Sequence, residues 1–196
     1  MTNRTATIRR TTSETDIEIT LNLDGAGKST IDTGVGFFDH MLAAFARHGQ
    51  FDLQIHANGD LDVDSHHTVE DVGWVLGQAV CEALGDRGGI ARYGSSLLPM
   101  DEALAMVVLD LSGRSLCAFD APLDGRIGSF DAELVREFFL AFSRSGALTL
   151  HARMLSGSNR HHMAEALFKG LGRTLDEAST RDPRINGAAS TKGVLT

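Results

Sequence analysis

The stretch His66-His67-Thr68-Val69-Glu70 opens an apolar segment, and its pattern returns 95 positions later as His161-His162-Met163-Ala164-Glu165. Apolar residues follow each copy at helical spacing, which predicts that each pattern lies in the first turns of a helix. Residues i and i+3 or i+4 share one face of a helix, while adjacent residues diverge by about 100°. Each glutamate can therefore accompany either histidine of its copy, while the two histidines point apart.

Imidazole nitrogens and carboxylate oxygens in this arrangement are donors suited to Mn, Fe, Co or Zn. Because the histidines of one copy diverge, a single copy can offer ligands to two different ions. The doubled pattern therefore predicts a two-metal site. The alternative is a pair of polar helix starts on a solvated surface.

The surrounding segments keep the same spacing, since His56 and His151 are also 95 positions apart. In the first half, the patterns predict strands over residues 5–11 and 15–23, a hairpin turn at Asp24-Gly25, a helix over 37–48, a strand over 51–56, and the first His-His helix to about residue 85. In the second half, they predict a helix over 131–144, a strand over 147–154 and the second His-His helix. Two further strands, 103–111 and 114–119, are predicted between the halves.

This order predicts an α+β fold of internally duplicated helix-strand-helix units, with two helices per half packed on a mixed β-sheet. We predict one catalytic domain over residues 1–196, made of two pseudo-repeats at about 1–90 and 91–180. The aperiodic tail, 181–196, is predicted to close over bound substrate.

The composition argues against several classes of partner and of cellular location. A net charge of −8 argues against a nucleic acid or an anionic membrane as the main partner. Two cysteines are too few for a disulfide framework, and no apolar run matches a signal peptide or a membrane span, so we expect a cytoplasmic protein.

Gly27-Lys28-Ser29 does not predict a P-loop, because Asn22 stands where the motif needs glycine and an extended segment follows.

In these motifs the chain resembles the imidazoleglycerol-phosphate dehydratase family of histidine biosynthesis. The resemblance covers nearly the whole chain and rests on these segments: Thr12-Ser13-Glu14-Thr15, Phe37-Phe38-Asp39-His40-Met41-Leu42, residues 64–71, Pro99-Met100-Asp101-Glu102, Leu111-Ser112-Gly113-Arg114, His161-His162 with Glu165, and Ser190-Thr191-Lys192-Gly193. It implies a duplicated ribosomal protein domain 2-like fold. It also implies a homo-oligomer of 24 subunits, built from trimers, with sites between subunits.

The activity implied by the resemblance is dehydration of D-erythro-imidazoleglycerol phosphate to imidazole acetol phosphate, with two Mn²⁺ ions per active site. Carried over residue by residue, it gives these metal ligands: His40, His66, His67, Glu70, Glu137, His161, His162 and Glu165. Glu137 stands where the family often has histidine, so its alternative is a solvated glutamate on an amphipathic helix. The resemblance also assigns catalytic roles to Glu14, Glu70 and Glu165. It assigns phosphate binding to Arg92, Arg114, Lys169, Ser190 and Lys192.

These residues suit a β-elimination, which needs an electron source and an acid for the leaving hydroxyl. Two cations on the substrate's imidazole would lower the pKa of its ring N–H, so that the ring anion could supply the electrons. Glu14 is the predicted acid/base group. Two other functions use the same donors: a dinuclear metallohydrolase, and a metal-assembled structural or storage shell.

Overall fold

A computed structural model describes residues 4–193 and residue 195. In chain order, the first half contains β1 (Thr5–Thr11), β2 (Thr15–Asn22), β3 (Ser29–Asp32), α1 (Gly36–His48), β4 (Asp52–Gly59) and α2 (His66–Leu84). The second half contains β5 (Tyr93–Met100), β6 (Ala103–Asp110), β7 (Leu116–Asp120), β8 (Arg126–Ile127), β9 (Phe130–Asp131), α3 (Leu134–Ser145), β10 (Thr149–Ser156) and α4 (Arg160–Ser179). The short β8–β9 pair is an addition to an otherwise repeated order.

Each half forms one four-stranded mixed sheet, and the strand orders β1-β2-β4-β3 and β5-β6-β10-β7 are equivalent. The last strand of each half enters the sheet antiparallel to one neighbour and parallel to the other. Alternate residues on the strands are buried, as expected for a sheet covered on one face. The predicted α+β fold of duplicated units is therefore confirmed.

The predicted hairpin turn at Asp24-Gly25 is wrong. The antiparallel neighbours β1 and β2 are joined at residues 12–14, while the chain after Asp24 crosses to β3, which pairs in parallel with β4. Asp52 fixes this crossing, because its Oδ1 accepts the backbone N–H groups of Ala26 and Lys28 at 2.9 and 3.1 Å. Since a strand and not a helix follows Lys28, the rejection of a P-loop is confirmed.

The strands predicted between the halves belong to the second sheet, where β6 and β7 flank β10. Their partner β5 was not predicted, because Gly94 and Pro99 interrupt its apolar alternation. The third helix begins at Leu134 and not at Asp131, because Phe130 and Asp131 pair with Arg126 and Ile127 as β9 and β8.

The helices lie between the two sheets and share one apolar core. α1 and α2 pack on the first sheet and α3 and α4 on the second, while α2 contacts α3 and α1 contacts α4 across the halves. The α1–α4 approach is close: a Cβ on Gly172 would lie 2.3 Å from the carbonyl oxygen of Phe45. This contact positions the start of α4 beside His40 of α1. None of the described helices has the length and hydropathy needed to span a bilayer.

Candidate active site

Three side chains meet where the start of α4 passes α1. His40 comes from α1, His161 and Glu165 come from α4, and their ligand atoms all lie within 4.8 Å of one another. Nε2 of His161 lies 3.2 Å from Oε2 of Glu165, and Nε2 of His40 lies 3.6 Å from the same oxygen. We call these residues the α1–α4 cluster. Among residues 4–193 and 195, it is the only group of three such donors at this spacing.

The start of α4 holds its histidines through a helix cap. Asn159 is the N-cap residue, and its Oδ1 accepts the N–H groups of His161 and His162 at 2.9 and 3.4 Å. His161 and Glu165 are four residues apart and so share one face of the helix. The ring of Phe37 packs edge-on against His161, with centroids 5.2 Å apart, which supports the imidazole from α1.

Glu165 is a nearly buried carboxylate, with 7% of its surface exposed. Burial by itself raises the pKa of Glu165, but the hydrogen bond and charge of Lys169, aided by His40 and His161, outweigh it and lower the pKa below its usual value. Nζ of Lys169 lies 2.7 Å from Oε1. The carboxylate is therefore ionised, and Oε2 faces the two imidazoles.

His162 points away from this cluster, as predicted for adjacent histidines. Its Nδ1 lies 2.7 Å from Oε2 of Glu102, and its Nε2 lies 3.6 Å from Oδ2 of Asp101. The hydrogen bond to Glu102 raises the pKa of His162. The same bond, with the backbone N–H groups of Asn159 and Ser158, lowers the pKa of Glu102 to about 2.

The first copy has a closely similar arrangement at the start of α2. Nε2 of His66 lies 3.6 Å from Oε2 of Glu70, one turn along the helix. The ring of His67 turns away, with Nδ1 3.0 Å from Oδ2 of Asp60 and Nε2 3.9 Å from Oε1 of Glu14. The hydrogen bond to Asp60 raises the pKa of His67. In both copies, therefore, one histidine faces its glutamate and the other binds a separate carboxylate.

The predicted acid/base residue Glu14 lies in the β1–β2 turn. With His67 and Glu70 it lines a cavity of about 290 Å³. Arg10 and Asp71 on the wall of this cavity form an ion pair, and Oγ1 of Thr15 donates to Asp71 at 2.6 Å. Glu14 therefore lies beside the first copy of the pattern and not in the α1–α4 cluster.

Glu137 also lies near the first copy. It lines a cavity of about 270 Å³ together with Glu70, Trp74 and Cys117. Its Oε1 lies 3.1 Å from Nη1 of the adjacent Arg136. The structure thus groups Glu137 with Glu70, and not with His40, His161 and Glu165.

Four of the predicted phosphate-binding residues line one cavity of about 710 Å³: Arg92, Arg114, Ser190 and Lys192. Arg92 donates to Asp110 at 2.7 and 3.1 Å and to the carbonyl oxygen of Ala189 at 2.6 Å. This last bond fixes the tail that carries Ser190 and Lys192. Residues 194 and 196 of the tail lie outside the described residues.

Lys169, the fifth predicted phosphate ligand, is elsewhere. Its ammonium contacts Glu165 and lies 3.6 Å from the sulfur of Met100. Within one chain, Lys169 therefore belongs to the α1–α4 cluster and is not part of the lining of the Arg92–Arg114 cavity.

Sequence reasoning assigned no role to several carboxylates that contact these residues, Asp64 and Asp101 among them. Asp60 and Glu102 bind the second histidine of each copy, and Asp110 binds Arg92. Glu102 lies in the segment Pro99-Met100-Asp101-Glu102, one of the segments that carry the family resemblance, and this was the sequence signal that could have indicated a role for it. Asp60 follows a strand directly and Asp110 ends one, and neither position carries a sequence signal of its own.

The chain matches one family of known proteins over most of its length. The family model described as imidazoleglycerol-phosphate dehydratase matches residues 33–175. The imidazoleglycerol-phosphate dehydratase of Acetivibrio thermocellus is 58% identical over 189 residues, covering 96% of this chain and 97% of the relative. That of Desulforamulus reducens is 56% identical over 196 residues, covering all of both chains.

Solved structures show the same fold. The crystal structure of the dehydratase from Pyrococcus furiosus, in complex with (S)-C348, superposes with a TM-score of 0.84 at 39% identity, covering 96% of this chain and 100% of the other. The Staphylococcus aureus structure gives a TM-score of 0.82 at 41% identity, covering 91% and 99%. This chain belongs to the imidazoleglycerol-phosphate dehydratase family of hydro-lyases.

Proposed function

We propose that this protein dehydrates D-erythro-imidazoleglycerol phosphate to imidazole acetol phosphate, a step of histidine biosynthesis, in the cytoplasm. The α1–α4 cluster is the observation that carries the proposal: two imidazoles and one nearly buried, ionised carboxylate face a common point. The relatives that match the full length of the chain bear the name of this activity. The two partly buried free cysteines agree with a reducing compartment.

The donors fit manganese. Two nitrogens and one oxygen within 4.8 Å of one another suit a divalent ion such as Mn²⁺. Three protein ligands also leave coordination positions open, as in catalytic and unlike structural sites. Bound Mn²⁺ would act as a Lewis acid that lowers the pKa of the substrate's ring N–H. We assign two such ions to each active site because the His-His-x-x-Glu pattern occurs twice.

The residues of the chain have distinct tasks in this proposal. Glu165 offers Oε2 to the cation while Lys169 holds Oε1 and balances the charge. His40 and His161 supply their Nε2 atoms. In the first copy, His66, His67, Glu70 and the neighbouring Glu137 supply the remaining donors, together with His162 from the second copy.

The active sites form between copies of the chain. Within one chain, the α1–α4 cluster does not include the donors of the first copy, although 43% of His66 and 48% of Glu70 are exposed and available. A second chain that presents these donors to the cluster would complete the ligand set. This supports a homo-oligomer, of 24 subunits built from trimers as in the family resemblance.

Glu14 is the proposed acid/base residue at the substrate's side chain. Its half-exposed carboxylate lies in a turn beside His67, where it can accept a proton or donate one. The exposed location at the edge of a cavity lets the group reach a substrate held by the first copy.

The substrate's phosphate binds in the Arg92–Arg114 cavity. Arg114, Ser190 and Lys192 present donors there, and Asp110 orients Arg92. Lys169, the fifth predicted phosphate ligand, lies in the α1–α4 cluster, so it would contact the phosphate only of a substrate held in the Arg92–Arg114 cavity of a neighbouring chain. Lys192→Ala should raise KM for the substrate tenfold or more, since a hydrogen bond to a charged group contributes about 1.5–3 kcal/mol. Lys28→Ala, on a loop of the first half, is the control and should leave KM unchanged.

The activity test is an assay with imidazoleglycerol phosphate on chelator-stripped protein, with and without added Mn²⁺. The proposal predicts a keto product that retains its phosphate, formed when Mn²⁺ is present. Release of inorganic phosphate would instead identify a metallohydrolase, and metal-dependent assembly without turnover would identify a structural shell.

A second experiment tests the shared sites. Two inactive variants, His66→Ala/Glu70→Gln and His161→Ala/Glu165→Gln, are mixed without metal and reassembled with Mn²⁺. Sites built from different subunits should regain part of the activity, because some sites then receive both intact halves. No recovery, with assembly intact, would contradict sites shared between copies.

A further inference from the structure

Each copy of the His-His-x-x-Glu pattern has one histidine whose Nδ1 is bound by a carboxylate. Nδ1 of His67 lies 3.0 Å from Asp60, and Nδ1 of His162 lies 2.7 Å from Glu102. An ionised carboxylate only accepts hydrogen bonds, so each Nδ1 must carry the hydrogen. When the ring is neutral, its lone pair is therefore on Nε2, the nitrogen that lies 3.9 Å from Glu14 in His67 and 3.6 Å from Asp101 in His162.

The two carboxylates come from different places in the fold. Asp60 directly follows β4, whereas Glu102 lies in the β5–β6 turn. The position of the second half that matches Asp60 at the 95-residue spacing is Leu155, an exposed apolar residue. The same contact is therefore made twice by unrelated loops, and it is not a simple product of the internal duplication.

We infer that Asp60 and Glu102 are positioning residues that fix the tautomer and ring orientation of His67 and His162, so that Nε2 of each ring is the metal-binding atom. The inference rests on the proposed role of both histidines as ligands. A histidine that binds a metal commonly donates its other N–H to a carboxylate, which orients the ring and increases its basicity.

Glu102 also has a structural contact that the test must separate from this role. Its Oε1 accepts the N–H groups of Ser158 and Asn159 at 3.1 and 2.7 Å, next to the cap of α4. Asp60 has no comparable pair of backbone contacts through its carboxylate among the described residues. The two sites therefore provide independent versions of the same experiment.

The experiment measures Mn²⁺ affinity in the absence of substrate. The full-length protein, stripped of metal by a chelator, is titrated with MnCl2, and free Mn²⁺ is followed by its electron paramagnetic resonance signal. Asp60→Asn and Glu102→Gln keep the side-chain size but present an amide that no longer dictates the tautomer. We expect each to weaken Mn²⁺ binding about 10- to 100-fold.

Matched controls remove a carboxylate nearby without touching a ring. Asp62→Asn lies in the same loop as Asp60, and Asp124→Asn removes the ion-pair partner of Arg160 at the start of α4. Both should bind Mn²⁺ within about twofold of the wild type, the usual margin for independent sites. A melting curve of each variant checks that it is folded.

A double-mutant cycle distinguishes positioning from a general structural or charge effect. In a His67→Ala background, Asp60→Asn should cost no further affinity, and the same should hold for Glu102→Gln in His162→Ala. Unchanged Mn²⁺ affinity in the single variants would overturn the positioning role. So would a loss of affinity that is as large in the background without the histidine as in the wild type. Neither result would contradict the proposed metal site. Failure of the wild type to bind Mn²⁺ overturns the proposed site, and the positioning role with it.

Discussion

Oε2 of Glu165 lies 3.2 Å from Nε2 of His161 on the same helix, while Oε1 of the same carboxylate lies 2.7 Å from the ammonium of Lys169. The two oxygens of one nearly buried group thus have separate partners. Lys169 balances the charge, and Oε2 remains directed at the two imidazoles of the α1–α4 cluster. In the proposed function, Oε2 is therefore the oxygen that would bind the cation.

Glu165→Gln tests this arrangement directly. The amide keeps the size of the side chain but removes the charge and leaves Lys169 without its partner. We expect Mn²⁺ affinity to fall by at least about 100-fold, the upper end of the range for losing an outer carboxylate. Titration with Mn²⁺ measures the change. Glu177→Gln, on the same helix outside the cluster, is the control, and equal affinity in the two variants would contradict the assignment.

Glu14→Gln tests the proposed proton transfer. Loss of a general acid or base typically lowers the rate by about 10²–10⁴-fold, so kcat should fall by this amount while KM changes little. Steady-state kinetics at saturating Mn²⁺ give both constants. Glu18→Gln, on the exposed face of β2, should retain the wild-type kcat. If Glu14→Gln turns over at the wild-type rate, Glu14 has no role in catalysis.

The stability of the metal-free protein should depend on pH through His162 and Glu102. The pKa of His162 is raised by Glu102, so its contribution is full below the ordinary value of 6.5 and is lost as pH rises through the raised value. The pKa of Glu102 is lowered from 4.5 to about 2, so its contribution is full above 4.5 and is lost as pH falls toward 2. The two windows overlap between pH 4.5 and 6.5.

Glu102→Gln should therefore lower the melting temperature most between pH 4.5 and 6.5, measured with a chelator present at fixed protein concentration. The difference from the wild type should shrink on both sides of this window. A difference that does not vary with pH would show that the backbone contacts of Glu102, and not its pairing with His162, determine its effect.

Gly172→Ala tests the close approach of α1 and α4. The added Cβ would meet the carbonyl oxygen of Phe45 at 2.3 Å, and overpacking of this kind costs about 1–3 kcal/mol. The gain in helix propensity is about 1 kcal/mol and does not offset a clash with backbone. The melting temperature should fall. Gly36→Ala in α1 has no atom within 4 Å of the new Cβ, and it should be neutral or stabilising.

Much of the fold follows from local sequence patterns. The His-His helices and the strands around His56 and His151 were predicted because periodicity of apolar residues is a local signal. β5 was missed because a glycine and a proline interrupt its alternation. The course of the chain after Asp24 was missed because it depends on Asp52, a residue distant in sequence.

The site was predictable only in part. His161 and Glu165 share a helical face, so their pairing follows from spacing, but the arrival of His40 depends on how α1 packs against α4. Which side chains Asp60, Glu102 and Asp110 contact depends on the geometry of nearby turns, and residue spacing does not predict that geometry. The proposed contacts between copies of the chain do not follow from any pattern within one sequence.

Anomalous diffraction at the manganese edge, from crystals of the Mn²⁺-loaded protein, tests the central claim most directly. The account predicts a peak within bonding distance of Nε2 of His40, Nε2 of His161 and Oε2 of Glu165, and a second peak in the same site, with His66, His67 and Glu70 of a neighbouring chain divided between the two ions. Ordered side chains in the α1–α4 cluster with no anomalous peak among them would contradict it.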